Sequence, residues 1–304
     1  MAGLKALIPL DGTKLSESAF DLLPLLKVMG FDSVRLVSVW ESAWEEAGPA
    51  SKQEDFGEAT EKGRAYLDAY LNQQAGRVRS AGLEAEVDVR TGRAAEEVVE
   101  AAKGVDLVLI ATHGRSGVAR WWLGSVADKV VREVTCPVLL IGPNVQQELV
   151  PGRPGRILLP LDGSEQAEEA IPLAAWIAGL TDSEIEVVRC MSLTPVAYDP
   201  SMSIYSADLI NSLEEAVQEY LAGIQQRLAG RKVSTTMLVG GAGELLIEHL
   251  EAHPAGLVVM TSHGRSGVRR VALGSVTDRL LHGPAPVLVV RTGGGLLAKA
   301  KSAS

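Results

Sequence analysis

Residues 111–128 read ATHGRSGVARWWLGSVAD, and residues 261–278 read TSHGRSGVRRVALGSVTD. Aligned without a gap, they share His, Gly, Arg, Ser, Gly, Val, Arg, Leu, Gly, Ser, Val and Asp, twelve identities in eighteen positions. Each stretch continues an apolar run, DLVLIAT or GLVVMTS, and each leads into a helical pattern that opens at Gly-Ser. A buried strand, a glycine-bearing loop and a helix start, written twice, imply a longer repeat. KALIPLDGTKLSESAFDLLPLL returns as RILLPLDGSEQAEEAIPLAAWI, and CPVLLIG returns as APVLVVR. Such a period matches a duplicated domain and far exceeds a solenoid unit.

The chain accordingly divides into a first domain, 1–143, a linker, 144–155, a second domain, 156–292, and a flexible tail, 293–304. The linker reading rests on PNVQQELVPGRPG, with three prolines and two glycines. In the first domain strands are expected at 4–10, 34–40, 85–90, 106–112 and 137–141, with helices at 16–29, 54–81, 94–103 and 125–133. The second repeats the strands at 157–161, 185–190, 234–239, 257–261 and 287–290. Strands apolar throughout their length suit a sheet buried on both faces. Their alternation with helices gives α/β domains, doubly wound, each around a parallel sheet with right-handed crossovers. Ligands of such sheets bind beyond the carboxyl ends of the strands, where the strand order reverses.

Composition narrows the class. The 304 residues are 46% hydrophobic and 22% charged, which is globular. A net charge of −9 argues against nucleic acid and anionic membrane as partners. The two cysteines, Cys136 and Cys190, fall in different domains and belong to no CxxC pair, so a reducing cytoplasm fits. The first apolar run stops at Asp11, short of a signal-peptide core, and no run reaches membrane-spanning length.

Residues at the carboxyl ends of the strands carry the chemistry. Gly124-Ser125 and Gly274-Ser275 open helices, whose free N–H groups and dipole favour an anion. Gly114 and Gly124 allow backbone to approach a phosphate closely. Arg115 and Arg120 add charge. Asp11 and Asp162 close the first strand of each domain as PLDG, where a carboxylate suits ribose hydroxyls or a metal beside phosphates.

At these residues the chain resembles the universal stress protein family, as a tandem of two domains. Nucleotide-binding members carry Gly-x-x-Gly, nine residues, then Gly-Ser or Gly-Thr after the fourth strand. The match runs from Gly114 to Gly124-Ser125 and from Gly264 to Gly274-Ser275. The resemblance implies a five-stranded parallel sheet per domain, ordered 3-2-1-4-5 and flanked by helices, and ATP as the ligand. Backbone around Val39 would then face adenine, Asp11 the ribose, and the glycine loop with Ser125 the phosphates. The implied first set is Pro9, Leu10, Asp11, Val39, Ala111, His113, Gly114, Arg115, Gly124, Ser125 and Val126. The second is Pro160, Leu161, Asp162, Cys190, Thr261, His263, Gly264, Arg265, Gly274, Ser275 and Val276. No catalytic residue and no protein-held metal site is expected, and whether Mg2+ accompanies ATP stays open. The signature's first glycine is Ala111 in one copy and Thr261 in the other. A positive φ there would handicap Thr more than Ala, which ranks the first copy above the second.

Plainer readings stand beside these. Ser125 with Asp128, and Ser275 with Asp278, fit the spacing of a helix-capping box. Asp11 followed by Gly fits a turn. His249 and His253, four apart on a helix, read as surface histidines because no third zinc ligand accompanies them. GGAGE at 240–244 is an incomplete dinucleotide fingerprint, no Gly-Lys-Ser/Thr occurs, and GRSGV lacks the spacing of a serine-hydrolase elbow. Trp121 and Trp122 face Val271 and Ala272 in the alignment, so they are assigned to packing.

The expected function is a cytoplasmic stress-response protein that binds ATP or a related adenine nucleotide as a sensor, with an unknown protein partner. A slow ATPase and a nucleotide-free scaffold are the rivals, and enzymatic activity extends at most to weak hydrolysis. The last strands of the two domains are expected to pair within one chain, which leaves a homodimer open. The long segments after the second strands, including 42–54 with Trp44, are expected to cover the sites and report occupancy.

Overall fold

The computed structural model describes residues 3–41, 53–112, 123–145, 152–191, 207–262, 274–291 and 295–303. Ten strands form one sheet: β1 Leu4–Pro9, β2 Phe31–Trp40, β3 Glu84–Thr91, β4 Leu107–Ala111, β5 Val138–Ile141, β6 Arg156–Pro160, β7 Glu184–Met191, β8 Val233–Val239, β9 Leu257–Thr261 and β10 Val287–Val290. Their order is β3-β2-β1-β4-β5-β10-β9-β6-β7-β8. Each half is parallel and keeps the order 3-2-1-4-5. The difference from two separate five-stranded sheets lies at the centre. There β5 and β10 pair antiparallel, Leu140 with Val287, Leu139 with Leu288 and Val138 with Val289.

Strand alternation sends successive side chains to opposite faces, and each face has its own core. Ile8, Leu107, Leu109, Leu139, Leu288 and Leu257 belong to one, Leu7, Val108, Ile110, Val138, Val287 and Val258 to the other. Both cores therefore run through the β5–β10 joint and across both halves. On the first face lie the helices Leu23–Val28 and Gln53–Ser80, with Leu26, Leu71 and Val78 turned inward. On the second lie Ala94–Ala101 and Ser125–Glu133, with Val98, Ala101, Val130 and Val131 inward. The layers are those of a doubly wound α/β fold.

Two expectations need correcting. The helix anticipated at 16–29 is broken into Lys14–Glu17, a 3₁₀ turn Ser18–Leu22, and Leu23–Val28. Pro24 stands in the first turn of the last piece, where its missing N–H is tolerated but cannot continue a preceding α-helix. Pro172 does the same at the start of Ile171–Thr181. The tail anticipated as flexible contains a helix, Gly295–Ala303, with Leu296, Leu297 and Ala300 buried in the first core. This helix packs on Ile171–Thr181, and its Gly295 and Lys299 lie beside Asp106 and Gly30 of the first half. A Cβ on Gly295 would lie 2.4 Å from Asp106 Oδ1, and one on Gly30 would lie 3.5 Å from Lys299 Nζ.

After β5 the chain lies against the second half. Asn144 Nδ2 donates to the His282 carbonyl at 2.9 Å. A Cβ on Gly142 would stand 2.0 Å from the Leu281 carbonyl oxygen, so glycine is required by backbone proximity. Gly142→Val is expected to force the halves apart locally and cost roughly 1–3 kcal/mol, the usual range for overpacking. Denaturant unfolding of the full chain measures this; an unchanged midpoint would show that the contact is dispensable.

Candidate functional site

The same local construction appears at the end of β1 and β6. Leu10 N–H donates to Val37 O at 2.8 Å, and Leu161 N–H to Val188 O at 2.9 Å, continuing the sheet by one residue. The next residue bends the chain. Asp11 Oδ1 accepts from Thr13 N–H at 2.9 Å and from Thr13 Oγ1 at 2.7 Å. Asp162 Oδ1 accepts from Ser164 N–H at 2.9 Å and Ser164 Oγ at 2.6 Å. Between them Gly12 and Gly163 take φ of 82° and 83°, a left-handed conformation that favours glycine. The turn reading of Asp11 thus holds for one carboxylate oxygen, while the residue also lines a cleft.

Across that cleft a helix begins. Gly124 N–H donates to Thr112 O at 2.6 Å, and Gly274 N–H to Ser262 O at 3.1 Å. The ends of each glycine loop are therefore joined directly, strand end to helix start. A Cβ on Gly274 would sit 3.0 Å from Ser262 O, tighter than an ordinary contact. Gly124 and Gly274 themselves are the N-caps, at φ of −55° and −60°. Ser125 and Ser275 stand one position inside, so the capping box does not form. Asp128 instead pairs with Arg132, one turn on. In each helix the first intrahelical donor is an aspartate N–H, Asp128 to Gly124 O and Asp278 to Gly274 O, both 2.9 Å. The N–H groups of the three preceding residues, Ser125 to Ala127 or Ser275 to Thr277, are left over by the helix, and all these residues line the clefts.

The first cleft, about 330 Å³, gathers Pro9, Leu10, Asp11, Val39, Ala111, Gly124, Ser125 and Val126. The second, about 260 Å³, gathers Pro160, Leu161, Asp162, Cys190, Thr261, Gly274, Ser275 and Val276. Every described residue anticipated for either site is brought to its cleft. His113, Gly114, Arg115, His263, Gly264 and Arg265 lie outside the described residues, as do Trp44, Trp121 and Trp122.

Ala111 and Thr261 are ordinary strand residues, in register with Ile141 and Val290. Among the described residues only Asp182 combines a side chain with positive φ. The backbone handicap anticipated for Thr261 is therefore absent. The halves differ in other ways. The helix at the first cleft runs nine residues, Ser125–Glu133, and that at the second six, Ser275–Leu280. The shorter helix aligns fewer peptide dipoles behind its N-terminus.

Sequence reading missed part of the lining. Ser16, Ser38, Glu41 and Ala94 belong to the first cleft, and Ala167, Ala242 and Leu246 to the second. Ser38 Oγ donates to Leu10 O at 2.8 Å and locks β2 to the turn. Glu41 Oε1 accepts from Ala94 N–H at 2.9 Å. The available signal was position, since Glu41 directly follows a strand and Ala94 opens the helix after the next.

Of the two histidines, His253 is exposed as anticipated, while His249 proves to be structural. His249 Nε2 lies 2.8 Å from Glu186 Oε1 and is nearly buried, while its ring stacks on His253 at 4.8 Å between centroids. Glu186 also accepts from Thr236 Oγ1 at 2.8 Å and faces Arg156 at 3.2 Å. His249 is thus a core partner of a buried carboxylate, which corrects the surface reading. Among the described residues no group of three or more His, Cys, Asp or Glu could hold a metal, and no helix is long and apolar enough to cross a membrane.

Comparison with known proteins agrees with this geometry. The family model described as "Universal stress protein family" matches residues 4–142 and again 154–291. A universal stress protein of Mycobacterium tuberculosis is 31% identical over 196 residues, 64% of this chain and 64% of the relative. The chain thus matches just under two thirds of that relative's length. A putative universal stress protein of Staphylococcus aureus is 32% identical over 142 residues, 45% of this chain and 83% of the relative. In fold, a universal stress protein from Archaeoglobus fulgidus superposes with a TM-score of 0.69 at 20% identity, covering 95% of this chain and 98% of the other. Duplicated fold, duplicated cleft and duplicated family match lead to one conclusion: the chain belongs to the universal stress protein family and carries its domain twice.

Proposed function

We propose that the protein binds ATP or a related adenine nucleotide in the first cleft and acts as a stress-linked nucleotide sensor. The observation that carries this reading is the cleft at the β1/β4 switch point. One wall is Asp11, and the other is the N-terminus of the nine-residue helix Ser125–Glu133, with three leftover N–H donors. An anion fits the helix N-terminus, and a sugar hydroxyl fits a carboxylate. The apolar slot between Val37, Val39, Val98 and Ile110 fits a flat base. Bound ATP would bring its own negative charge, and Mg2+ would accompany its phosphates in solution rather than on a protein-built site.

The first cleft is the tighter one in this reading. Its helix is longer, nine residues against six. Cytoplasmic location and an unidentified protein partner complete the proposal. The segment 42–54, of which 42–52 lie outside the described residues, follows the cleft residue Glu41 in the chain and is the part assigned to signalling.

Ser125 supplies the sharpest test because it is exposed and occupies the first helical position. Ser125→Glu keeps or raises the melting temperature, since acid suits a helix N-terminus, yet it sets like charge against a phosphate. Calorimetry on the full chain is expected to show ATP affinity falling about tenfold or more (~1.4 kcal/mol), while Ser275→Glu changes it little. Mass spectrometry of ligand released from the denatured wild type identifies the natural nucleotide. Equal loss from both substitutions would refute the ranking, and no binding by wild type would refute the function.

Sensing has its own measurement. ATP is expected to slow hydrogen exchange across 42–54 and change Trp44 fluorescence; binding without either effect removes the sensor.

Cys190 reports on the second cleft. Burial pushes its thiol up to about 11, so it is protonated at neutral pH. Alkylation should be slow at pH 7.5 and accelerate about tenfold per pH unit towards that value. Millimolar ATP is expected to protect it at pH 9 only if the second cleft also fills.

A further inference from the structure

Glu41 is the one carboxylate besides Asp11 among the described residues lining the first cleft. It follows the last residue of β2, and its Oε1 is fixed by the Ala94 N–H at 2.9 Å. That N–H belongs to the first turn of Ala94–Ala101, whose N-cap, Arg93, makes no side-chain cap. The carboxylate is therefore anchored through Oε1 by the backbone of another element, in the lining of the first cleft.

Sheet order fixes where this group stands relative to the phosphate end. Glu41 follows β2, Asp11 follows β1, and Gly124-Ser125 lies at the end of β4, and these strands are consecutive neighbours. Two interstrand spacings, about 10 Å, separate the carboxylate from the helix N-terminus. A nucleotide with phosphate on the helix and ribose at Asp11 brings the edge of its base to Glu41. A carboxylate only accepts hydrogen bonds. It pairs with an exocyclic amine and repels a carbonyl oxygen at the same place.

We propose that Glu41 is the base-reading residue of the first cleft, selecting a 6-amino purine over a 6-oxo purine. The proposal rests on the nucleotide reading given above. The second half provides an internal contrast: Asp162 is the one carboxylate among the described residues lining its cleft, and the position matching Glu41 is the neutral Ser192. Base selection is thus a property of one cleft of the two.

The test compares ATP with ITP, which differ at the 6-position, by calorimetry on the full chain. Wild type should favour ATP by about tenfold or more, the discrimination expected when an acceptor meets the wrong group. Glu41→Gln keeps a side-chain oxygen for Ala94 N–H and replaces the other acceptor by a donor. It should bring the ATP:ITP ratio to within about threefold of unity, by weakening ATP and strengthening ITP, with the melting temperature unchanged. A ratio unaltered by Glu41→Gln, with ATP still bound, overturns the role of Glu41 and leaves the nucleotide reading standing. Absence of binding by either nucleotide to wild type overturns both.

Discussion

The antiparallel pairing of β5 with β10 is the contact on which the architecture depends. Val138, Leu139 and Leu140 meet Val287, Leu288 and Val289, and each of these six is at most 1% exposed. A fully buried aliphatic side chain contributes roughly 1.5–3 kcal/mol relative to exposure, and these side chains lie on both faces of the sheet. Neither half could dispense with the other without uncovering both cores. The pairing also removes two edges that would otherwise template aggregation. One outer edge that remains, β3, carries Glu84, Glu86, Asp88 and Arg90. Lys5 and Arg35 hold the Glu86 carboxyl below the usual range, and such charged edges discourage strand addition.

That joint also dictates how the two clefts relate. Because β5 and β10 run in opposite directions, the carboxyl ends of the two parallel halves point opposite ways. Both clefts draw on the core face containing Val37, Ile110, Val188 and Met260, so they open on one face of the sheet at opposite ends. Any coupling would run through the shared core, the Gly142–Leu281 contact or the terminal helix that spans the halves.

Duplication supplied identical turns, and divergence acted on what surrounds them. Asp-Gly with Thr13 or Ser164 builds the same bend twice, and Gly-Ser opens the same helix twice. Around these, Ser16 is replaced by Ala167, Val98 by Leu246 and Ala127 by Thr277. The second cleft loses the Ser16 hydroxyl, gains that of Thr277 and is bulkier at Leu246 and Thr277. Two frames of one design thus present different chemistry to a ligand.

The sequence by itself determined the duplication, the ten strands to within a few residues, and part of the lining of each cleft. Those features depend on local patterns: apolar runs of strand length, Asp-Gly turns and glycine loops with fixed spacing. Tertiary structure decided what depends on neighbours distant in the chain. It showed that Ala111 and Thr261 sit in regular strand, that Ser125 lies inside its helix rather than capping it, and that His249 is held by a buried glutamate. It turned the tail into a helix, because Leu296, Leu297 and Ala300 are buried in the first core where the helix packs on Ile171–Thr181. It also brought Glu41 to Ala94, 53 positions away, since adjacency in a parallel sheet is set by crossovers that no local pattern records.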